Sequence, residues 1–485
     1  MWTYGSWFQS SPQHAACRDS LINNSIRTFD HSDHIAGPML KTGCVMHRLL
    51  SRLIVTTGLL LITLFVRPTQ AQERFPIAEG WARTKVNCVI FRKNALCSSK
   101  DVQYAAFYDP QGRAVLARRG LPVGGFSTHT TQYTGQVTDA HNCISIAVDG
   151  DGFLHMSWDH HGHPLRYCRS VAPGSLEMTE KLSMVGDKED SVTYPEFYNL
   201  PNGDLLFFYR DGSSGNGNLV LNLYDVARQK WQRVQDNLLG GEGERNAYWQ
   251  VAVDRHSGIH LSWVWRETGD VVTNHDIAYA KSTDGGRTWT NTSGRILKLP
   301  IVESTADYAV RIPQNSELAN QTSMAVDYHG RPYIANFWRD DPKSVPQYRV
   351  VYHDGNDWNV AQVGQRTLDF HRQGGGTKRP PISRPVILLD SNAEQTRTFV
   401  LFRDAERDRR ISVAICDDLT TGAWTVHDIT SESVGQSDPL YDVQAWQTRR
   451  EIHLLTQFVG QGDGEKQEDV PPQPISVLQW KPPSP

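Results

Sequence analysis

Seven short apolar strands of similar pattern follow one another along most of the chain, and this internal repeat restricts the fold more than any other feature of the sequence. The strands are residues 102–108, 153–158, 204–210, 258–266, 332–339, 397–403 and 451–458. They begin 51, 51, 54, 74, 65 and 54 residues apart, close to the size of a four-stranded blade. We therefore predict an all-β protein, a seven-bladed β-propeller. A pair of two-sheet sandwiches would not explain the even spacing.

The segments around the repeat predict how blades begin and how the ring closes. Three repeat strands are preceded by a matching strand that ends in an aspartate, at residues 146–149, 251–254 and 324–327. A further apolar strand, residues 475–480, follows the seventh repeat. Because an open sheet edge exposes unpaired backbone groups, we expect this last strand to pair with an N-terminal one.

The N-terminal residues do not share this pattern. Residues 1–45 lack a sustained apolar period and are interpreted as a non-native extension. A basic start after Met46, an apolar run at 53–66 and small residues up to Ala71 predict a signal peptide at 46–71. The propeller domain would then be residues 72–485, secreted or periplasmic. The apolar run is too short to favour a membrane span, and a retained signal-anchor is the alternative.

Charge and cysteine content exclude some classes of partner and site. The formal net charge is -4 with both signs interspersed, which argues against a nucleic-acid partner. Five cysteines follow the predicted signal peptide, with no C-x-x-C motif, so neither a disulfide framework nor a zinc ribbon is indicated. Cys88 and Cys97 are close enough in sequence to bridge a hairpin, but buried thiols explain them equally well.

One segment, Ser282-Thr283-Asp284-Gly285-Gly286-Arg287-Thr288-Trp289, fits the Asp-box pattern S-x-D-x-G-x-x-W. In this turn the aspartate binds the backbone and the tryptophan packs on the blade. We interpret Asp284 as structural.

The segment from residue 138 to residue 166 is the richest in candidate functional groups. It contains His141, His155, His160, His161 and His163, five of the 18 histidines. Two apolar strands joined by Asp149-Gly150-Asp151-Gly152 predict a hairpin. Antiparallel pairing would bring His141, before the first strand, close to His160 and His161 after the second. Such histidines can transfer protons, bind a metal or simply be solvated.

Tyrosine and arginine side chains occupy corresponding positions in the next two blades. Tyr194 and Tyr248, like His141, precede the first strand of a blade, whereas Arg210, like His161, follows the second. Glycoside hydrolysis is poorly supported, because no carboxylate pair accompanies this set. The set suits β-elimination on a uronic acid. There a cation holds the carboxylate, a base removes the C5 proton and an acid protonates the departing O4.

The ordered motifs resemble those of the BNR-repeat polysaccharide lyases, the ulvan lyases of polysaccharide lyase families 24 and 25. The matching segments are residues 139–142, the histidine-rich segment after the second strand of the predicted hairpin (His160, His161 and His163), and residues 193–197, 209–212, 374–377 and 382–385. The resemblance implies cleavage beside glucuronate or iduronate in a sulfated, rhamnose-containing polysaccharide. It implies His141 and Tyr194 as the acid/base pair, with His161, Arg210 and Tyr248 holding the uronate carboxylate.

A monomeric enzyme with an anionic polysaccharide as its partner is therefore expected. The chemistry requires no cofactor, although the histidine group leaves a zinc or calcium site open. Arg339, Arg384 and His371 are further candidates for binding sulfate or carboxylate groups, since a polyanion should meet several cations. Trp249 is an alternative to Tyr248 as a sugar-stacking group.

Two other functions remain open from the sequence. The first is a sialidase-like hydrolase, because Val310-Arg311-Ile312-Pro313 and the Asp-box both occur in that class. The motif, however, lies after the Asp-box rather than near the mature N-terminus. The second is a propeller that binds glycans without cleaving them. A sialidase would release a terminal acidic sugar without a double bond, and a binding protein would leave polymer length unchanged.

Overall fold

The computed structural model describes residues 72–90 and 94–484. The predicted extension, residues 1–45, and the predicted signal peptide, residues 46–71, lie outside them and stay predictions. Within the described ranges, no helix is long and apolar enough to cross a membrane. The α-helix found there, α1 (Val443–Arg449), is short.

Strands arranged in seven antiparallel sheets form the seven predicted blades. The strands up to the third blade are β1 (Glu73–Gly80), β2 (Leu96–Ser99), β3 (Val102–Tyr108), β4 (Arg113–Gly120), β5 (Ser127–Thr134), β6 (Ile144–Val148), β7 (Leu154–Trp158), β8 (His161–His163), β9 (Tyr167–Arg169), β10 (Val192–Asn199), β11 (Leu205–Ser213), β12 (Asn216–Asp225) and β13 (Lys230–Gln235). The remaining strands are β14 (Asn246–Val253), β15 (Ile259–Arg266), β16 (Asn274–Ser282), β17 (Tyr308–Val310), β18 (Ser323–Val326), β19 (Pro332–Trp338), β20 (Gln347–His353), β21 (Trp358–Gln362), β22 (Val386–Ser391), β23 (Thr396–Asp404), β24 (Arg410–Cys416), β25 (Thr425–Asp428), β26 (Leu440–Tyr441), β27 (Ile452–Thr456) and β28 (Gln473–Trp480).

The blades follow one another in chain order. Blade 1 is β2 to β5, blade 2 is β6, β7 and β9, and blade 3 is β10 to β13 with β8 added beside β10. Blades 4, 5 and 6 are β14 to β17, β18 to β21 and β22 to β25, and blade 7 is β26 to β28 with β1. The seven repeat strands predicted from the sequence correspond to β3, β7, β11, β15, β19, β23 and β27. Each of them is the second strand of its blade, so the seven-bladed prediction is confirmed.

Alternate residues of one strand pack into two different cores. In β11, Leu206 and Phe208 belong to a buried cluster shared with blade 4, whereas Leu205 and Phe207 belong to a cluster shared with blade 2. The same sharing links every successive pair of blades, including blade 7 with blade 1. Burying a large apolar side chain contributes about 2 kcal/mol, so these interblade cores are the main stabilising term.

The ring closes by pairing of the two ends of the propeller region. β1 is the outer strand of blade 7 and pairs antiparallel with β28, from Glu73 opposite Gln479 to Gly80 opposite Gln473. This confirms the expected partner for the C-terminal strand, and it covers the edge that β28 would otherwise expose.

Three turns between first and second strands share one hydrogen-bond pattern. Asp149, Asp254 and Asp327 end the first strands of blades 2, 4 and 5, as their shared sequence pattern predicts. Oδ1 of each accepts the backbone N–H groups two and four residues later. An aspartate side chain that closes its own turn in this way favours a tight hairpin. These turns lie at the end of the sheets opposite to the start of the first strands.

In blades 2 and 4 the second oxygen of the turn aspartate continues into a buried network. Oδ2 of Asp254 lies 3.0 Å from His260 Nε2, and His260 Nδ1 lies 2.7 Å from the Tyr279 hydroxyl. Blade 2 repeats this arrangement with His155 between Asp149 and Tyr167. Burial lowers the pKa of both histidines, so each is neutral, donating from Nε2 and accepting at Nδ1. His155 is therefore a structural histidine.

The Asp-box and the cysteines have structural roles. Asp284 accepts hydrogen bonds from the backbone and hydroxyl of Thr288, while Trp289 is fully buried and donates to the Gly286 carbonyl. Cys88 and Cys97 are buried thiols, and the described residues contain no disulfide. The buried-thiol interpretation is thus confirmed over the hairpin bridge.

We predict that Asp149→Ala and Asp254→Ala each destabilise the fold by about 3 kcal/mol, because each leaves a buried histidine and two backbone N–H groups without an acceptor. Urea unfolding, followed by tryptophan fluorescence, measures the shift in midpoint. Asp151→Ala, in the same turn but exposed, is the matched control and should change stability by less than about 0.5 kcal/mol. Equal effects at Asp151 and Asp149 would contradict the role of the network.

Candidate active site

The β6–β7 hairpin brings two histidines together at the end where first strands begin and second strands end, here called the site face. His141 precedes β6 and His161 follows β7, and their rings stack with centroids 4.1 Å apart. Asp139 joins them, since its Oδ1 lies 2.7 Å from His141 Nδ1 and its Oδ2 lies 2.6 Å from His161 Nδ1. Antiparallel pairing predicted that His141 lies close to the histidines that follow the second strand, and this prediction is confirmed.

Strand β8 places His161 beside blade 3. It pairs with β10, where Thr193 lies opposite His161. The Thr193 hydroxyl accepts from the Gly162 N–H at 2.8 Å and from Arg210 Nη2 at 3.1 Å. The Thr193 hydroxyl thus connects the histidine-containing segment that follows β7 with Arg210 of blade 3.

A bulge in β10 directs Tyr194 toward the histidines. The register of β10 against β11 shifts between Thr193 and Glu196, and Tyr194 has a φ of 56°, in the left-handed region. A non-glycine residue there stores strain that its surroundings must offset, and such residues concentrate at functional sites. The Tyr194 ring lies 5.8 Å from the His141 ring, and the Arg210 guanidinium carbon lies 5.0 Å from the Tyr194 ring centre.

Blade 4 contributes Tyr248 and a second arginine. The Tyr248 ring lies 6.0 Å from the Tyr194 ring. Its hydroxyl accepts from Arg266 Nη1 at 3.3 Å and lies 3.3 Å from the Ser214 hydroxyl. The five residues selected from the sequence therefore converge. One detail of the prediction was wrong: Tyr194 and Tyr248 lie within β10 and β14 rather than before them, because these strands extend further toward the site face. Arg210 ends the predicted strand 204–210 and lies within β11, which continues to Ser213.

The two histidines have opposite protonation preferences. Burial opposes the charge on His141, but hydrogen bonds to Asp139 and Glu465 outweigh it and raise the pKa of His141 to about 9. For His161, burial outweighs the Asp139 hydrogen bond, the charge on His141 acts in the same direction, and the pKa is lowered. At neutral pH the pair is thus one imidazolium and one neutral imidazole.

The two tyrosines also differ. Burial raises the pKa of Tyr194, the neighbouring Tyr248 raises it further, and Arg210 offsets only part of this. Burial acts against ionisation of Tyr248 as well, but Arg266 and Arg210 outweigh it and lower its pKa to about 8. Tyr194 is therefore a proton donor, and Tyr248 is the tyrosine that ionises more readily.

Residues adjacent to the candidates have supporting positions. His160 is fully buried, its Nε2 accepts the Arg166 N–H, and burial holds its pKa well below the usual value. His163 accepts the His161 N–H through Nδ1. Trp249 is buried and donates to Glu196 at 3.0 Å, so it supports Tyr194 and offers no face for sugar stacking. His161 is the histidine that faces His141.

The further cationic candidates lie in blades 5 and 6. Arg339 binds Asp369 and the Phe370 carbonyl, and His371 Nδ1 lies 2.7 Å from Glu317. Arg384 donates to Asn320 at 2.9 Å, and its charge lowers the pKa of Tyr194, so it borders the site. Arg311 of the Arg-Ile-Pro motif is exposed beside the outer strand of blade 4 and binds Asp276.

Three site residues were not selected from the sequence. Asp139 and Glu465 contact His141, and Arg266 contacts Tyr248. A signal for Arg266 exists, because an aromatic-arginine-acidic triplet recurs at residues 209–211, 265–267, 338–340 and 402–404. Asp139 stands two residues before His141. Glu465 has no such signal, since it lies more than 300 residues from the histidines.

Asp139, His141 and His161 are also the described residues grouped closely enough to suggest a metal site. Both imidazole Nδ1 atoms, however, lie at hydrogen-bond distance from Asp139. Protons shared with the carboxylate account for this geometry, and we assign no metal ligand here.

Known proteins resemble the chain in sequence over part of its length. The long isoform of ulvan lyase from Alteromonas sp is 25% identical in an alignment of 280 positions that covers 44% of this chain and 27% of that protein. The ulvan lyase of Nonlabens ulvanivorans is 22% identical in an alignment of 290 positions that covers 52% of this chain and 59% of that protein. The chain thus matches less than two thirds of the length of either relative.

Solved structures share the fold. A PL25 ulvan lyase superposes with a TM-score of 0.63 over 85% of this chain and 96% of that one, at 14% identity. The same kind of enzyme bound to -[GlcA(1-4)Rha3S]- gives a TM-score of 0.58 at 15% identity, over 77% and 89% of the two chains. At these identities the likeness supports the propeller fold alone. The model of the BNR repeat-containing family matches residues 102–366, more than half of the chain. The chain therefore belongs to the BNR repeat-containing family.

Proposed function

We propose that this protein is a polysaccharide lyase that cleaves a uronate-containing, ulvan-like polysaccharide by β-elimination outside the cytoplasm. Its relatives by sequence are named ulvan lyases, and a structural neighbour binds a glucuronate-rhamnose-sulfate chain. The observation that carries the proposal is the convergence of His141, His161, Tyr194 and Tyr248 from three consecutive blades, with the two members of each pair shifted in pKa in opposite directions.

The reaction needs one group that gives a proton and one that takes it. The C5–H bond of the uronate breaks, its electrons form the C4–C5 double bond, the C4–O4 bond breaks, and O4 takes up a proton. His141 and Tyr194, the acid/base pair implied by the family resemblance, both favour their protonated forms, so they are assigned to donate the proton that O4 takes up. Tyr248, which ionises near pH 8 beside Arg266, is the group best suited to remove the C5 proton.

The uronate carboxylate must also be neutralised, because this makes the C5 proton acidic. His161, whose side chain is the most exposed of the four aromatic site groups, and the nearby Arg210 are assigned to this role. Nε and Nη1 of Arg210 are buried without a hydrogen-bond partner among the described residues. Arg210 acts mainly through its charge, and the charges of Arg266 and Arg384 add to an environment suited to a polyanion.

We expect the protein to release unsaturated uronate from ulvan, with ultraviolet absorbance rising as the double bond forms. His141→Ala and Tyr194→Phe should each lower kcat by about 10² to 10⁴, the usual contribution of a proton-transfer group. Arg311→Gln, exposed at the outer edge of blade 4, is the control and should leave the rate unchanged.

Other outcomes separate the remaining functions. Binding of ulvan without a rise in absorbance or a fall in polymer length would indicate a glycan-binding propeller. Release of a terminal acidic sugar without a double bond, dependent on Arg311, would indicate a sialidase-like hydrolase. Either result contradicts the lyase proposal.

The activity should have an alkaline optimum. The rate rises with pH as the base ionises near pH 8 and falls as His141 loses its proton near pH 9. Arg266→Gln removes the cation beside Tyr248, so the rising limb should move to higher pH, while Arg266→Lys should largely restore it. A rising limb below pH 6.5 that Arg266→Gln does not move would assign the base to His161 instead.

We also propose that the reaction needs no metal, since the imidazolium of His141 and two arginines supply positive charge at the site. Dialysis against EDTA should therefore leave the initial rate on ulvan unchanged, as measured by absorbance. A loss that Zn²⁺ or Ca²⁺ restores would contradict this proposal.

A further inference from the structure

Glu465 reaches the candidate active site from the far side of the propeller. It lies in the loop between β27 and β28 of blade 7, whereas His141, Tyr194 and Tyr248 belong to blades 2, 3 and 4. Its Oε1 lies 3.2 Å from His141 Nδ1, and its Oε2 accepts the Ala140 N–H at 3.2 Å. Both carboxylate oxygens thus contact the segment that carries His141.

A second segment holds Glu465 in this position. Residues 374–378, here called the crossing segment, precede blade 6 and include the glycine-rich motif noted in the sequence. The Thr377 N–H donates to Glu465 Oε1, and the Gly464 N–H donates to the Thr377 carbonyl at 2.9 Å. Lys378 Nζ pairs with Asp463 at 2.9 Å. The two loops are therefore joined by backbone and side-chain bonds at Glu465 and at the two residues that precede it.

The crossing segment also contacts the opposite side of the site. The Gly374 N–H donates to Asp270 at 2.7 Å, and the Val271 N–H donates to the Gly374 carbonyl at 3.1 Å. Asp270 follows β15 shortly after Arg266, the arginine that contacts Tyr248. The crossing segment consequently connects the blade 4 loop behind Tyr248 with the blade 7 loop behind His141.

Close packing explains the glycines of this segment. Gly376 has a φ of 72°, and a Cβ on it would lie 3.0 Å from Gly464 Cα. Any other residue at 376 would be strained and would separate the two loops.

We propose that Glu465 is a positioning residue for the proposed β-elimination: acting through His141, it fixes the imidazole ring and keeps the Nδ1 proton in place. Nδ1–H is shared between Asp139 and Glu465, so proton exchange with a substrate falls to Nε2. The inference rests on the proposed function, but the contact between Glu465 and His141 can be measured without it.

The charges around His141 determine the expected effect of removing Glu465. Asp139 lies on its own segment, Glu465 comes from blade 7, His161 comes from β8, and Tyr194 and Tyr248 face it from blades 3 and 4. Of these, the two carboxylates favour the imidazolium throughout, and the Tyr248 phenolate favours it once that group has ionised. Loss of the charge of Glu465 therefore lowers the pH at which His141 gives up its proton.

Glu465→Gln is the decisive variant, because the amide oxygen can still accept backbone hydrogen bonds while the charge is lost. On ulvan we expect kcat to fall about tenfold with little change in KM, and the alkaline limb of the pH profile to move to lower pH. Asp463→Asn is the matched control, since it removes the ion pair with Lys378 from the same loop without touching His141. It should leave the pH profile unchanged, and Glu465→Asp should restore part of the rate.

A measurement without substrate separates this inference from the proposed function. In protein labelled with ¹³C at histidine Cε1, the His141 signal, identified by its absence in His141→Gln, should titrate at lower pH in Glu465→Gln than in the unaltered protein. This shift would support the positioning role even if ulvan is not cleaved. An unchanged titration, or an equal shift in Asp463→Asn, would overturn it.

Discussion

The second strand of a blade packs against two cores at once, as β11 does, and the site depends on that constraint. Alternate side chains of β11 enter different interblade clusters, one shared with blade 2 and one with blade 4. A blade therefore has no core of its own and is held by its neighbours, which requires a closed ring. Pairing of β1 with β28 satisfies this requirement by joining the two ends of the propeller region within one sheet.

The closed ring of blades fixes the positions of the short polar segments at the site face. Turn aspartates and Asp–His–Tyr networks stabilise the opposite ends of blades 2 and 4. The strained residue of the site, Tyr194, lies in a bulge between well-paired parts of β10 and β11. The stability of the surrounding sheet offsets the cost of that conformation, and the bulge turns the phenol toward His141.

Electrostatics then distinguishes residues of the same type. His141 and His161 stack on one another and share Asp139. Among the described residues Glu465 adds a second carboxylate to His141, which is the histidine that stays protonated. Tyr194 and Tyr248 are both buried, and it is the Tyr248 hydroxyl that accepts a hydrogen bond from Arg266. Glu465 of blade 7 distinguishes His141 from His161, and Arg266 of blade 4 distinguishes Tyr248 from Tyr194. Two pairs of identical residue types therefore form a site in which the members of each pair differ in pKa.

The sequence by itself determined the architecture and most of the site. Spacing of the second strands predicted seven blades, because each blade repeats the same alternating apolar pattern, and corresponding positions in consecutive blades selected His141, His161, Tyr194, Arg210 and Tyr248. Only the tertiary structure decided which histidine faces His141, that Trp249 is buried, and that Arg266 and Glu465 belong to the site. The reason is physical. Periodicity reports on contacts within a blade, whereas Glu465 meets His141 through loops that closure of the ring brings together across more than 300 residues.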